Sequence, residues 1–265
     1  MTAIKCVVLD LDGTLLNRDQ AISPRTLRAV DACWARGISI VLATGRPPRA
    51  VRHLLVTEAL RGFVIYLDGA LTMHESDGLV YDHRTIPASV SARITQSVLS
   101  ADPRAIISFE VQDAWYCLES PVADEVFPAD APYPPPQRVD KAQIQALSPT
   151  KMIVSGNAHW ERVLRPFDPA VQIRATPDGA LIQVMEKSVS KESALSRVLH
   201  ALGVDPAGVM VFGDGLNDMG LFELCGYPVA MGNAVDALKR RAKYLTDSND
   251  DDGVAAALQV LGVIP

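Results

Sequence analysis

The chain has 265 residues, 25 of them Lys or Arg and 31 Asp or Glu, for a formal net charge of −6. With 48% apolar and 21% charged residues, it is long and apolar enough to bury a substantial core, and its composition excludes wholesale disorder. The acidic balance leaves no basic excess to neutralise phosphates, which argues against a nucleic-acid partner.

The N-terminal stretch offers one lysine, Lys5, and only Val7-Val8-Leu9 before Asp10, too short for a signal-peptide core. No apolar run approaches the roughly 20 residues that span a bilayer. Cys6, Cys33, Cys117 and Cys225 are scattered and form no CxxC, so neither a zinc site nor a disulfide framework is indicated. A soluble, cytoplasmic chain is the expectation.

Ile4–Leu9 is a short β-branched apolar run, and Ser23-Pro24 opens a helix as N-cap and first-turn proline that Gly37 ends. Ile38–Ala43 reads as a second strand, Pro47–Leu60 as a second helix and Phe63–Leu67 as a third strand. Continuous apolar strands separated by helices predict βαβ units and a parallel sheet buried on both faces. Leu71–Met73 and Leu79–Tyr81 flank Ser76-Asp77-Gly78, a hairpin signal.

A helix over Pro87–Leu99 then precedes strands at Ala105–Val111 and Trp115–Leu118. Pro128, Pro132, Pro134, Pro135 and Pro136 crowd a loop. Lys151–Ser155 resumes as a strand, His159–Leu164 as a short helix, and Val171–Ala175 pairs with Ala180–Glu186 across Pro177-Asp178-Gly179. This stretch predicts an α+β module with an antiparallel sheet. After Lys187 the first pattern returns: a Ser190-capped helix with Ala194, Leu195, Val198, Leu199 and Leu202 on one face, then a strand at Gly208–Phe212. A helix at Met219–Leu224, a strand at Val229–Met231 and helices at Val235–Arg241 and Val254–Leu261 complete the chain. The expected organisation is a discontinuous α/β core, residues 1–82 and 188–265, with residues 83–187 inserted as a separate module.

Four clusters carry chemistry. Asp10-Leu11-Asp12-Gly13-Thr14 ends the first strand, where ligands of parallel α/β sheets bind. Two carboxylates this close need a cation between them. A calcium loop fails because Leu15 occupies the position that requires glycine, although an Asp-Gly turn alone would account for the segment. Thr44-Gly45-Arg46 follows the second strand and combines a hydroxyl, an unhindered N–H and a guanidinium, all donors to an oxyanion. Lys191 lies in the first turn of the Ser190 helix, where the macrodipole disfavours a cation and a bound anion would explain it. Gly213-Asp214-Gly215-Leu216-Asn217-Asp218 interleaves carboxylates with glycines after a strand, which suits a hard cation such as Mg²⁺. By contrast, the acidic run from Asp247 to Asp252 reads as a solvated turn capping the last helix. His53, His74, His83, His159 and His200 share no ligand spacing.

In this order, all at strand ends or helix starts, the clusters resemble the four motifs of the haloacid dehalogenase (HAD) superfamily: Asp10 through Thr14, Thr44, Lys191, and Gly213-Asp214 with Asn217-Asp218. The insert of about one hundred residues, with Val229–Ala234 and Asp247–Val254, looks like the Cof-type, class IIB branch. The resemblance implies a Rossmann-like HAD core with an α+β cap that sets specificity, and a Mg²⁺-dependent phosphatase of small phosphorylated metabolites, either sugar phosphates or phosphorylated cofactors. It implies Asp10 as nucleophile through an aspartyl phosphate, Asp12 as acid and base, and Thr44, Gly45, Arg46, Lys191 and Asn217 on the phosphate. The metal would be held by Asp10, the Asp12 carbonyl and Asp214, with Asp218 behind them, and Asn217 could alternatively orient Lys191.

Two positions depart from the branch. Asp68-Gly69 replaces an Asn-Gly, so an extra carboxylate must be paired, for instance with Arg46, or turned away. Glu192 replaces the glycine that usually follows the motif lysine. A phosphomutase or phosphotransferase would use the same core, and a receiver domain would lack the insert. Trp115, Tyr116 and Arg174 are unranked candidates for substrate contacts in the insert, and the oligomeric state is not legible.

Overall fold

The computed structural model describes residues 3–119, 134–155, 160–176 and 181–265. Pro128, Pro132, His159 and the Pro177-Asp178-Gly179 turn with Ala180 lie outside them. The chain divides into two compact units, the first comprising Met1–Arg46, Val51–Asp82 and Ser190–Pro265, the second Pro47–Ala50 and His83–Val189.

The first unit opens with β1 (Cys6–Leu9), α1 (Pro24–Ala35), β2 (Ser39–Ala43) and β3 (Phe63–Tyr66), followed by β4 (Leu71–His74) and β5 (Leu79–His83). It resumes with α5 (Lys191–Leu202), β12 (Val209–Gly213), α6 (Met219–Leu224), β13 (Tyr227–Ala230), α7 (Asp236–Lys239), β14 (Tyr244–Leu245) and α8 (Gly253–Val260). Its eight-stranded sheet runs β14-β13-β12-β1-β2-β3-β4-β5. The pairs from β14 to β3 are parallel and β3–β4 is antiparallel. All four residues of β1 are buried, as an apolar run without alternation requires when helices cover both sheet faces. Ser23 caps α1 by accepting from Thr26 N at 3.0 Å, with Pro24 at the first helical position.

The second unit contains α2 (Ala88–Ala101), β6 (Ile106–Val111), β7 (Ala114–Leu118), β8 (Gln137–Val139), α3 (Lys141–Gln145), β9 (Lys151–Ser155), α4 (Trp160–Leu164), β10 (Val171–Ala175) and β11 (Leu181–Glu186). Its six strands run β10-β11-β9-β6-β7-β8 and are antiparallel except for β7–β8. Ile94, Val98, Phe109, Met152, Val154, Leu164 and Val184 are among its buried core.

The expected helix over Pro47–Leu60 does not form. Three 3₁₀ turns, Pro48–Ala50, Arg52–Leu54 and Glu58–Leu60, replace it. Val51, Val56 and Thr57 are β-branched and poor helix formers, and Arg49 is committed elsewhere. Its N–H donates to Asp113 Oδ1 (2.7 Å), and its guanidinium takes both oxygens of buried Glu110 (2.7 and 2.6 Å). These bonds place Pro47–Ala50 with the second unit. The turn at Asp247–Asp252 is also more than a solvated cap: Asp250 pairs with Arg18, and Asp252 accepts from Ser23 and Thr26 at the start of α1.

All four cysteines are buried, and none is in a disulfide. Burial, aided by the neighbouring Cys225, pushes the Cys6 thiol up to about 12; burial alone raises Cys225 to about 12, and it raises Cys33 to about 11 against the pull of Arg36. Only the thiolate is nucleophilic, so these groups stay protonated at mildly alkaline pH. The folded protein is expected to resist a disulfide reagent such as DTNB until guanidinium unfolds it. Modification of Cys6, Cys33 or Cys225 in the folded state at the rate of free cysteine would contradict this.

Candidate active site

Asp10, Thr44 and Asp214 each follow directly on a parallel strand, β1, β2 and β12, so adjacent strand ends bring the three together. Asp10 is buried, and its N–H donates to Phe212 O at 3.2 Å. Lys191, 1% exposed, donates from Nζ to Asp10 Oδ1 (2.6 Å) and to Asp218 Oδ1 (2.7 Å). The macrodipole of α5 opposes a cation at this position, and two buried carboxylates outweigh it. Asp218, fully buried, uses its other oxygen to accept from Asp214 N and Gly215 N, both at 3.2 Å.

Asp10, Asp214 and Asp218 present carboxylate oxygens that all lie within 4.8 Å of one another. Burial holds the Asp10 carboxyl well above the usual carboxylate range; Lys191 pulls it down, while Asp218 and Asp214 push it up. Burial, then Asp218, raises Asp214 to about 6, with Asp12 adding to the rise and Lys191 opposing it. Burial works against the charge on Lys191, but Asp10, Asp218 and Asp68 more than offset it and keep the ammonium protonated. Three carboxylates thus share one ammonium, and a hard cation fits the remaining negative charge.

Backbone geometry makes room for this crowding. Gly13 adopts φ +76°, and a Cβ there would fall on the Asp214 carboxylate. Gly69, at φ +104°, lies against the Ser190 carbonyl, where a Cβ would collide with the cap of α5. Asn233 Nδ2 donates to Gly13 O (2.8 Å) and steadies the first motif loop. Sequence reasoning missed this tie, because nothing local connects residues 220 positions apart.

Thr44 is fully buried; its N–H donates to Ile65 O (2.8 Å) and its Oγ1 accepts from Arg46 N (3.1 Å). Gly45 faces Asp68, whose Oδ1 would lie 3.2 Å from a Cβ. Asp68 is buried at φ +57° and accepts from Asn217 Nδ2 (3.3 Å). Asn217 is therefore occupied with the residue that departs from the family pattern. Glu192, the other departure, packs on Gly220 at the start of α6, where a side chain would have no room. Arg46 makes a two-pronged ion pair with Asp12, Nε to Oδ2 at 2.8 Å and a terminal nitrogen to Oδ1. Of the insert candidates, Trp115 lies under the Arg49 guanidinium (5.1 Å to the ring centre), Tyr116 packs on the second unit's core, and Arg174 is exposed on β10.

A family model described as haloacid dehalogenase-like hydrolase matches residues 7–258. The chain belongs to the haloacid dehalogenase-like hydrolase family. A Streptococcus pyogenes protein provisionally named a phosphatase is 30% identical over 269 residues, covering 97% of this chain and 98% of its own length. The 5-amino-6-(5-phospho-D-ribitylamino)uracil phosphatase YcsE of Bacillus subtilis is 27% identical, covering 97% of this chain and 95% of its own. A solved structure from Bacteroides thetaiotaomicron, analysed among phosphatases of the HAD superfamily, matches with a TM-score of 0.83 at 27% identity. It covers 99% of this chain and 96% of its own. The chain is a phosphatase with the HAD fold. No helix among the described residues is long and apolar enough to cross a membrane.

Removing one partner of a buried ion pair strands the other charge, at a cost of about 3 kcal/mol or more. Lys191→Met is accordingly expected to lower the unfolding free energy by about that amount in chelator-treated buffer, measured by urea denaturation. A midpoint unchanged from the parent would show that the ammonium does not hold Asp10 and Asp218 together.

Proposed function

We propose that this phosphatase hydrolyses small phosphate monoesters, sugar phosphates or phosphorylated cofactors, through an aspartyl phosphate on Asp10 with Mg²⁺ as cofactor. The observation that carries the proposal is the buried Asp10 carboxylate at the end of β1, with Lys191 on one oxygen and Asp214 within ligand reach. The relative named as a 5-amino-6-(5-phospho-D-ribitylamino)uracil phosphatase acts on a small phosphorylated metabolite, which supports that substrate class.

Asp10 attacks phosphorus with a carboxylate oxygen, and the P–O ester bond breaks as Asp12 gives its proton to the leaving alkoxide. Asp12 then takes a proton from water, whose oxygen attacks the same phosphorus, releasing phosphate and regenerating the Asp10 carboxylate. Thr44, the Gly45 N–H and Lys191 donate to the non-bridging oxygens, where charge needs stabilising in a loose transition state. Arg46 and Asn217 belong to the same phosphate-facing loops.

Asp10, Asp214 and the Asp12 carbonyl are assigned as Mg²⁺ ligands. Asp218 is placed behind them, because both its oxygens already accept from Lys191, Asp214 N and Gly215 N. The oxygen donor set and its excess negative charge fit a hard cation. When bound, Mg²⁺ neutralises charge between the anionic nucleophile and the anionic ester. Residues 83–189 are assigned the choice among esters, since every group given a chemical role lies in the first unit.

Asp10→Asn is expected to abolish turnover with the fold intact, since an amide is nearly isosteric with a carboxylate but is not an anionic nucleophile. Activity within about tenfold of the parent in a deamidation-free preparation would overturn the assignment. Excess EDTA should silence the parent, and Asp214→Ala should raise the Mg²⁺ concentration needed for half-maximal rate more than Lys191→Ala does. Full activity in EDTA, or an unchanged Mg²⁺ dependence in Asp214→Ala, would rule out the metal site.

A further inference from the structure

Arg46 holds a position that a phosphate-binding arginine does not need. The Asp12 side chain is 51% exposed and the Arg46 side chain 19%, so Asp12 has room to rotate unless a partner fixes it. Arg46 supplies that partner with a fork: Nε donates to one Asp12 oxygen at 2.8 Å and a terminal nitrogen to the other. The same terminal nitrogen donates to Gln20 Oε1. A planar guanidinium matched to both carboxylate oxygens fixes orientation as well as position.

Both ends of this chain of contacts are tied down by hydrogen bonds. The Arg46 N–H donates to Thr44 Oγ1, and its carbonyl accepts from Leu67 N at 3.1 Å. Gln20 sits at φ +58° in a tight loop. Asn17 closes that loop: its N–H donates to Ala21 O and its carbonyl accepts from Gln20 N, both at 3.0 Å, and its Oδ1 accepts from Asp19 N and Ala21 N. Asp12 in turn lies close enough to Asp214 to add to the rise of the Asp214 carboxyl. Binding a substrate phosphate through the engaged face of Arg46 would take the fork off Asp12.

We propose that Arg46, steadied by Gln20, is the positioning residue that aims the Asp12 carboxylic acid at the leaving-group oxygen. This rests on the reading of Asp12 as acid and base in the proposed function. The contribution of Arg46 then depends on the leaving group. An alkyl phosphate leaves as a strongly basic alkoxide and needs the proton; 4-nitrophenyl phosphate leaves as a weakly basic phenolate and scarcely does. A residue that bound phosphate would serve both esters alike.

The test compares kcat/KM for 4-nitrophenyl phosphate with kcat/KM for whichever sugar or polyol phosphate the parent turns over fastest. The quantity read is the alkyl-to-aryl ratio in Arg46→Ala, Arg46→Lys, Gln20→Ala and Asp12→Asn, with thermal melting to confirm folding. Arg46→Ala is expected to lower the ratio by about tenfold or more, within the span of general-acid effects. Gln20→Ala should lower it by a smaller factor. Arg46→Lys, which keeps the charge and loses the fork, should recover little of the loss. Adding Arg46→Ala to Asp12→Asn should lower the ratio no further than Asp12→Asn alone, because both act through one proton.

An unchanged ratio in Arg46→Ala, with weaker inhibition by inorganic phosphate, would overturn the proposal and make Arg46 a phosphate contact. A raised ratio would also overturn it, since the pair would then be withholding the carboxylate. Should Asp12→Asn itself leave the ratio unchanged, the assignment of Asp12 as the acid falls and the positioning role falls with it.

Discussion

The first unit is organised around a charge imbalance: Asp10, Asp214 and Asp218 crowd within 4.8 Å, and one buried ammonium, Lys191 Nζ, lies between two of them. Buried like charges are costly unless paired, so each element near them is shaped by the need to hold or share that charge. Parallel strands bring Asp10 and Asp214 to neighbouring ends. The N-terminus of α5 presents Lys191 although its dipole opposes a cation, because the carboxylates offset the penalty. Gly13 keeps a left-handed backbone conformation, since any side chain there would occupy the Asp214 carboxylate's place. What is left over, a pocket of oxygen donors with net negative charge, suits a divalent cation next to a phosphate ester.

Around that centre a second layer of contacts holds the loops. Asn233 fixes the Gly13 carbonyl, the Arg46 fork fixes Asp12, and Asn217 meets Asp68. The arrangement separates two carboxylates of one motif by environment. Asp10 is buried with a lysine, whereas Asp12 is half exposed with an arginine. The roles proposed for them, a nucleophile facing a metal and an acid exchanging protons with water, call for such different surroundings.

Most of the strands and the four motif clusters were legible in the chain because strands buried on both faces write themselves as unbroken apolar runs. Three of the clusters sit directly after such runs, and the fourth, Lys191, sits just after a helix cap at Ser190. The helix over Pro47–Leu60 misled because its apolar spacing is helical, while Arg49 is drawn to Glu110 and Asp113 by contacts more than 60 residues away in sequence. Strands β8 and β14 are too short to show a period. Helix α3 did carry a signal, the Asp140–Gln143 capping box, hidden beside a proline-rich run. The partners of Arg46 and Asp68 were out of reach for a different reason. Spacing offers Arg46 as a donor to an oxyanion, and only the folded loops show that its guanidinium forks onto Asp12.

The central claim is that Asp10 carries the phosphoryl group between ester and water. Rapid acid quenching of the Mg²⁺-loaded enzyme during turnover of a ³²P-labelled ester, followed by peptide mapping, tests it most directly. The account predicts hydroxylamine-labile label on the peptide that contains Asp10. Label on another residue, or none while phosphate is released at full rate, would contradict it.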